Sequence, residues 1–201
     1  MRQLLVMLCF GFITSSCKGP VKELIIDNPS EDSYTIGFLD FEPLTLGAKE
    51  SKKIDIPYGK QTISINGVDH KINLDADHSY MLNPSKSRYY IENVVYSMNG
   101  KGEDQYNRDY GKPRSDIVNP DSDSVSLNVS GDYQLIEPRL LITKNWKFGL
   151  GEEPTMSGNV GFNPQLGYVL VKKLHRHEEL YRRLFLHSLG DVFDELKLDE
   201  Q

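Results

Sequence analysis

The sequence predicts a mainly β fold with a C-terminal helix, an α+β arrangement in which an antiparallel β-sandwich is followed by a smaller α+β region. Three observations carry it. Between Val21 and Tyr96, short alternating runs are separated by turn residues about every eight to twelve positions, the rhythm of a sandwich. Asn66-Gly67 interrupts two such runs, and this dipeptide takes positive φ readily enough to favour a type I′ hairpin turn. Beyond Val171 the apolar period changes from two to three and four, which marks an amphipathic helix.

The chain opens differently. Arg2 precedes an apolar run from Leu4 to Ile13, which is half the roughly 20 residues needed to span a hydrocarbon core and so reads as the core of a secretory signal in residues 1–16. The run ends in Thr14-Ser15-Ser16-Cys17. Here the chain resembles bacterial lipoproteins, whose signals end in an aliphatic residue, two small residues and the cysteine that receives the lipid. Ser15, Ser16 and Cys17 match, and Thr14 departs from the aliphatic position. The resemblance implies lipidation at Cys17 and a cell-envelope location, anchored to the membrane by lipid. Lys18 stands where a retention signal would have Asp, so the outer membrane is expected rather than the inner.

The two cysteines agree with that expectation, because Cys9 lies in the segment to be removed and Cys17 would then stand alone. A lone thiol in an oxidising compartment is a liability that a thioether removes. With no disulfide available, stability must come from a core. Residues 17–201 suffice for one substantial domain or two small ones. A formal charge of −6 without a concentrated basic face argues against nucleic acid as a partner.

In residues 17–96, the sandwich-like domain, Leu24 to Ile26 form a first strand that Asn28-Pro29 ends, and Tyr34, Ile36 and Phe38 alternate in a second. Ile54 and Ile56 alternate next, closed by Pro57-Tyr58-Gly59; Thr62 to Ile65 and His70 to Leu74 flank Asn66-Gly67. Tyr80 to Pro84 and Tyr89 to Tyr96 supply two more. The order of these runs, with Pro57-Tyr58-Gly59-Lys60 among them, is similar to PEGA-type and carboxypeptidase-regulatory-like sandwich modules, which implies an extracytoplasmic spacer or binding domain and no particular chemistry.

Residues 97–124 turn polar, with Pro113 and Pro120 and few aliphatics, and are expected to be a linker or insertion. Residues 125–201 resume with Val125, Leu127 and Val129, then Leu140 to Ile142, and a strand from Tyr168 to Val171. Leu174, Tyr181, Leu184, Phe185, Ser188, Leu189, Val192 and Leu196 mark the helix, with a break at Gly190-Asp191 and an apolar stripe from Leu174 to Leu189 that faces the β-layer.

Candidate chemistry is thin. His175-Arg176-His177-Glu178-Glu179 offers metal-ligand types, but histidines two apart point away from each other on a helix, and position 181 is Tyr where a zincin would have its second His. The cluster reads as a solvated helix start, and no metal or cofactor is expected. The basic residues Lys172, Lys173, Arg176, Arg182 and Arg183 could rest on anionic headgroups, although a solvated face is the simpler expectation.

Ser157 has no nucleophile-elbow context, since Thr155 and Asn159 stand where glycines belong. His70 and His78 lie near Asp69, Asp75 and Asp77 without a defined nucleophile. Gly149-Leu150-Gly151 precedes Glu152-Glu153, which would repel phosphate, and Asn119 to Asp123 lacks the rest of an EF-hand loop.

The aromatic residues are the other signal. Tyr106, Tyr110 and Trp146 are the binding candidates, since rings among polar neighbours such as Lys144, Asn145 and Lys147 can stack on a sugar or anchor a protein. The expectation is a non-catalytic module that binds an envelope protein or glycan. The alternatives are a membrane-bound immunity or accessory protein of a toxin or secretion system, and an envelope hydrolase.

Overall fold

A computed structural model describes residues 20–39, 41–96, 102–152 and 168–198, with side chains to 190. The signal region, Cys17 and Ser157 lie outside the described residues. The protein is mainly β with a C-terminal helix, as its alternation predicts. The first strands are β1 (Val21–Asp27), β2 (Tyr34–Phe38), β3 (Phe41–Leu46), β4 (Ser51–Pro57), β5 (Gly59–Ile65), β6 (Val68–Leu74), β7 (Tyr80–Leu82) and β8 (Tyr89–Tyr96). Then come α1 (Gly102–Tyr110), β9 (Arg114–Asn119), β10 (Ser122–Ser130), β11 (Tyr133–Ile136), β12 (Leu141–Thr143), β13 (Val169–Arg176) and α2 (His177–Leu198).

Two four-stranded sheets make the sandwich, in the orders β12-β7-β1-β4 and β3-β2-β5-β6. Their inward residues are mostly aliphatic: Leu24, Ile26, Ile36, Leu46, Ile56, Ile63, Leu74 and Leu82 are fully buried in one cluster. Each such side chain contributes roughly 1.5–3 kcal/mol by leaving water, and the period of two in β2, β5 and β6 puts Ile36, Ile63 and Leu74 on the inner face of their sheet. The hairpin is as expected. Ile65 pairs with Val68 across a two-residue turn in which Asn66 has φ 50° and Gly67 φ 81°.

β1 and β7 run parallel, side by side, and each ends in the same tripeptide, Asn28-Pro29-Ser30 and Asn83-Pro84-Ser85. Both asparagines are wholly buried. Asn28 donates to the Asp32 and Gly47 carbonyls and accepts from Ser30, while Asn83 donates to the Ser87 and Arg139 carbonyls and accepts from Ser85 and the Ser87 amide. Every polar valence of the two amides is thus met inside the protein, which is what allows polar turns under the core.

Against the sandwich lies a third sheet, β11-β8-β13, with the β9-β10 hairpin beside it. Several boundaries differ from the sequence expectation. Residues 97–124 contain α1 and β9, and Leu141–Thr143 from the C-terminal part pairs with β7 inside the sandwich. β13 continues through Arg176, so Leu174 is a buried strand residue and α2 starts only at His177. α2 is unbroken at Gly190. Its first turn carries Glu178 and Glu179, which suit the positive end of the helix dipole. α1 closes on Gly111, whose φ of 78° fits a helix C-cap.

Candidate functional site

The densest polar cluster sits where β13 becomes α2, against the end of β1. The extension of β13 turns Arg176 inward, and its guanidinium grips Asp27 with two hydrogen bonds of 2.7 and 3.2 Å. It also donates to Glu179 at 2.8 Å and to the Lys49 carbonyl at 3.0 Å. Asp27 is completely buried and accepts a third bond, 2.7 Å, from the Tyr89 hydroxyl on β8. Burial opposes the charge of Arg176, but the hydrogen bonds to Asp27 and Glu179 overcome it and hold the guanidinium ionised. Burial first, and then the Asp27 charge, keep the proton on Tyr89.

Lys49 extends the cluster to the surface. With a positive φ of 56° it turns its ammonium onto the Pro29 carbonyl at 2.6 Å, Glu178 at 2.6 Å and Glu31 at 3.3 Å. The β3–β4 turn is thereby tied to the first turn of α2.

A second set lies one residue back along β13. His175 Nε2 is 2.7 Å from Glu92 on β8, which also accepts from the Tyr133 hydroxyl at 3.2 Å and has Arg183 at 4.0 Å. Burial works to raise the Glu92 carboxyl, but the hydrogen bond and charge of His175 outweigh it, with help from Arg183 and Tyr133, and hold it below the usual range. The Tyr133 hydroxyl is pushed up to about 12, by burial and then by the Glu92 charge. His177 points the other way, with Nε2 at 2.6 Å from the Val118 carbonyl. A carbonyl only accepts, so that nitrogen carries a proton.

This corrects the sequence expectation. His175, Arg176 and His177 are buried rather than solvated, because they lie where the end of β13 passes into the first residue of α2, against the body of the protein. A cavity of about 210 Å³ opens beside them, lined by Lys173, His175, Arg176, Glu179 and Arg183 with Leu150. Arg176 and His175, both buried, are bonded to the carboxylates of Asp27, Glu179 and Glu92, an arrangement that fixes their geometry.

The aromatic candidates divide. Trp146 packs with Met81, Tyr89, Ile91, Ile142 and Leu174, and its indole N–H is buried without a hydrogen-bond partner among the described residues; it is a core residue, not an exposed ring. Tyr106 is also buried, with ring centroids 5.1 Å from Tyr110 and 5.5 Å from Tyr168 and its hydroxyl on Asp132 at 3.2 Å. Tyr110 is 68% exposed. The structure therefore brings Tyr106 and Tyr110 together and leaves Trp146 apart. Tyr106 also lines a polar cavity of about 540 Å³ with Asn93, Lys112 and Asp132.

The remaining motifs are accounted for locally. Asp75 caps its own turn and holds His78 at 2.9 Å and Tyr80 at 2.6 Å. Asp123 pairs with Arg88, and Asn119 accepts from the Asp121 amide. Glu152 folds back onto the Gly149 amide at 2.7 Å. Among the described residues no group of three or more His, Cys, Asp or Glu is placed to hold a metal ion.

No family model matches the chain, and no curated protein or solved structure is significantly similar to it. The residues that sequence reasoning missed are Asp27, Lys49, Tyr89 and Glu92. A signal existed for part of this. Val171, Lys173 and His175 alternate with the strand before them, and continuing that period would have carried β13 as far as His175.

Proposed function

We propose that the chain is a lipid-anchored cell-envelope protein, held at the outer membrane through Cys17, whose β-rich body is a non-catalytic module for a protein or glycan. The observation that carries this reading is the apolar run Leu4 to Ile13 ending in Ser15-Ser16-Cys17. The fourfold hydrogen bonding of Arg176 to Asp27, Glu179 and the Lys49 carbonyl is in keeping with a structural junction. On this reading Tyr110, exposed and tilted against the buried ring of Tyr106, is the ligand-facing aromatic.

The test is metabolic labelling with palmitate, combined with mass spectrometry of the mature N-terminus. Labelled membrane protein beginning at modified Cys17, with loss of label and of membrane retention in Cys17→Ala, is the expected result. An unmodified Cys17 in a membrane-associated mature chain would sink the reading. For the binding role, capture of envelope material by wild type should weaken with Tyr110→Ala and not with the buried Trp146→Phe.

A further inference from the structure

The strand register sorts the turns of the sandwich between its two ends. Val21 opens β1 opposite Pro57, and Tyr58 alone separates β4 from β5, so Val21, Pro57 and Gly59 share one end. β2 runs antiparallel to β5 with Phe38 opposite Ile63, so the β2–β3 turn lies toward that same end and stops two or three residues, roughly 7–10 Å, short of Gly59. Asn66-Gly67 and Val68 mark the other end, as do Asp27, Lys49 and the start of α2.

The β2–β3 turn is apolar where turns are ordinarily polar. Leu39 is 87% exposed, the highest value for a large hydrophobic side chain among the described residues, and Phe41 is 46% exposed. Phe41 meets the buried ring of Phe38 edge-on, with centroids 6.2 Å apart, so it is held from behind while the rest of its surface stays bare.

On the reading that Cys17 carries the lipid, four chain steps separate it from Val21, and these span at most about 14 Å. The headgroup layer of one leaflet is itself roughly 5–8 Å thick. The Val21 end is therefore confined to the bilayer surface, and a lean of the sandwich onto its β3 edge brings Leu39 and Phe41 to the boundary between headgroups and acyl chains. Charge does not supply this contact: Lys22 donates to the Asp75 and Ala76 carbonyls, and Asp75, Asp77 and the exposed Glu42 lie at this end. α2 also exposes Phe185, Leu186 and Leu189, but it begins beside Asp27, at the end away from the tether.

We propose that the β2–β3 turn is a second membrane contact, in which Leu39 and Phe41 enter the interface of the leaflet that holds the Cys17 lipid. The proposal rests on the lipid-anchor reading. Together the two contacts orient the body, with Asp27, Lys49 and the start of α2 facing away from the bilayer.

The experiment is hydroxyl-radical footprinting of the lipidated mature protein in phosphatidylcholine vesicles, with the N-terminal peptide read in the same mass spectra. Corrected for intrinsic reactivity and exposed area, labelling of Leu39 and Phe41 should be about fivefold or more below that of Val68, which is 59% exposed at the opposite end. Leu39→Asp, at a site with almost no packing to lose, should bring Phe41 to the Val68 level while the lipid stays on Cys17. Leu39 and Phe41 labelled as readily as Val68, in a chain whose Cys17 carries lipid, would overturn the proposal and leave the anchor standing. Protection that grows with the protein-to-lipid ratio would overturn it in favour of a second copy on the turn. An unmodified Cys17 would overturn the anchor reading, and the proposal with it.

Discussion

The sandwich and the layer behind it are stabilised in different ways. Between the two four-stranded sheets the buried contacts are mostly Ile and Leu, with Phe38 and Tyr80. Behind the first sheet, β8 and β13 meet β1 and α2 through Tyr89, Tyr90, Asp27, Arg176, Glu92 and His175. Apolar packing tolerates neighbours of roughly the right shape, whereas a buried ion demands a particular partner at a particular distance. The first region therefore supplies bulk stability, and the second fixes how α2 is seated.

The difference can be broken most severely at Arg176. Arg176→Ala leaves Asp27 charged and wholly buried with one hydroxyl for company, and should cost about 3–5 kcal/mol in urea denaturation. Arg176→Met with Asp27→Leu and Tyr89→Phe should recover most of that, because removing all the partners is far cheaper than orphaning one. A triple variant as unstable as the single one would mean that the ion pair is itself a large source of stability. In the sandwich, Ile63→Ala should cost about 2–5 kcal/mol by opening a cavity, with no rescue available from a second change.

Legibility followed the same division. Ile36, Ile63, Ile65 and Ile72 announce their strands because apolar alternation is a direct record of one-sided burial. β3 was harder to see, since Phe41, Glu42 and Pro43 are exposed and Leu46 is its one fully buried residue. α1 has no aliphatic residue and anchors itself through Tyr106, so its composition reads as loop. Lys173, His175 and Arg176 hid the end of β13, because burial of a charge depends on partners far away in the chain, Glu92 and Asp27, which no local pattern records. Assigning Leu174 to the helix instead of the strand then turned the helix stripe toward the β-layer. The structure puts Phe185 and Leu189 on the opposite side.

A smaller effect is expected at the one turn that was legible from two residues. Gly67 has φ 81°, where a β-branched side chain is strained, although a Cβ there would meet nothing within 4 Å. Gly67→Val should therefore cost about 1–2 kcal/mol from backbone strain alone. Gly67→Asn should cost much less, since Asn tolerates the left-handed region. Equal losses in the two variants would mean that the turn is not held in this conformation.

The smallest effect separates the two regions by pH. Glu92 is held below the ordinary glutamate value of 4.5: burial acts to raise it, but the His175 hydrogen bond and charge, with Arg183 and Tyr133, prevail. Glu178 is lowered too, chiefly by the Lys49 hydrogen bond. Groups depressed in the folded state bind protons more readily when unfolded, so their stabilisation is complete above about pH 4.5 and drains away as pH falls through the folded values. For Glu92, partly open to solvent, this is on the order of 1 kcal/mol. Hydrogen-exchange protection, corrected for intrinsic rates, should fall with acid in β13 and the first turn of α2 before it falls in β2 and β5, whose aliphatic contacts contain no titrating group. Glu92→Gln should flatten the acid response of β13 and leave β5 unchanged. Uniform loss across both regions would show that the polar junction and the sandwich open together, and that the division drawn between them has no energetic counterpart.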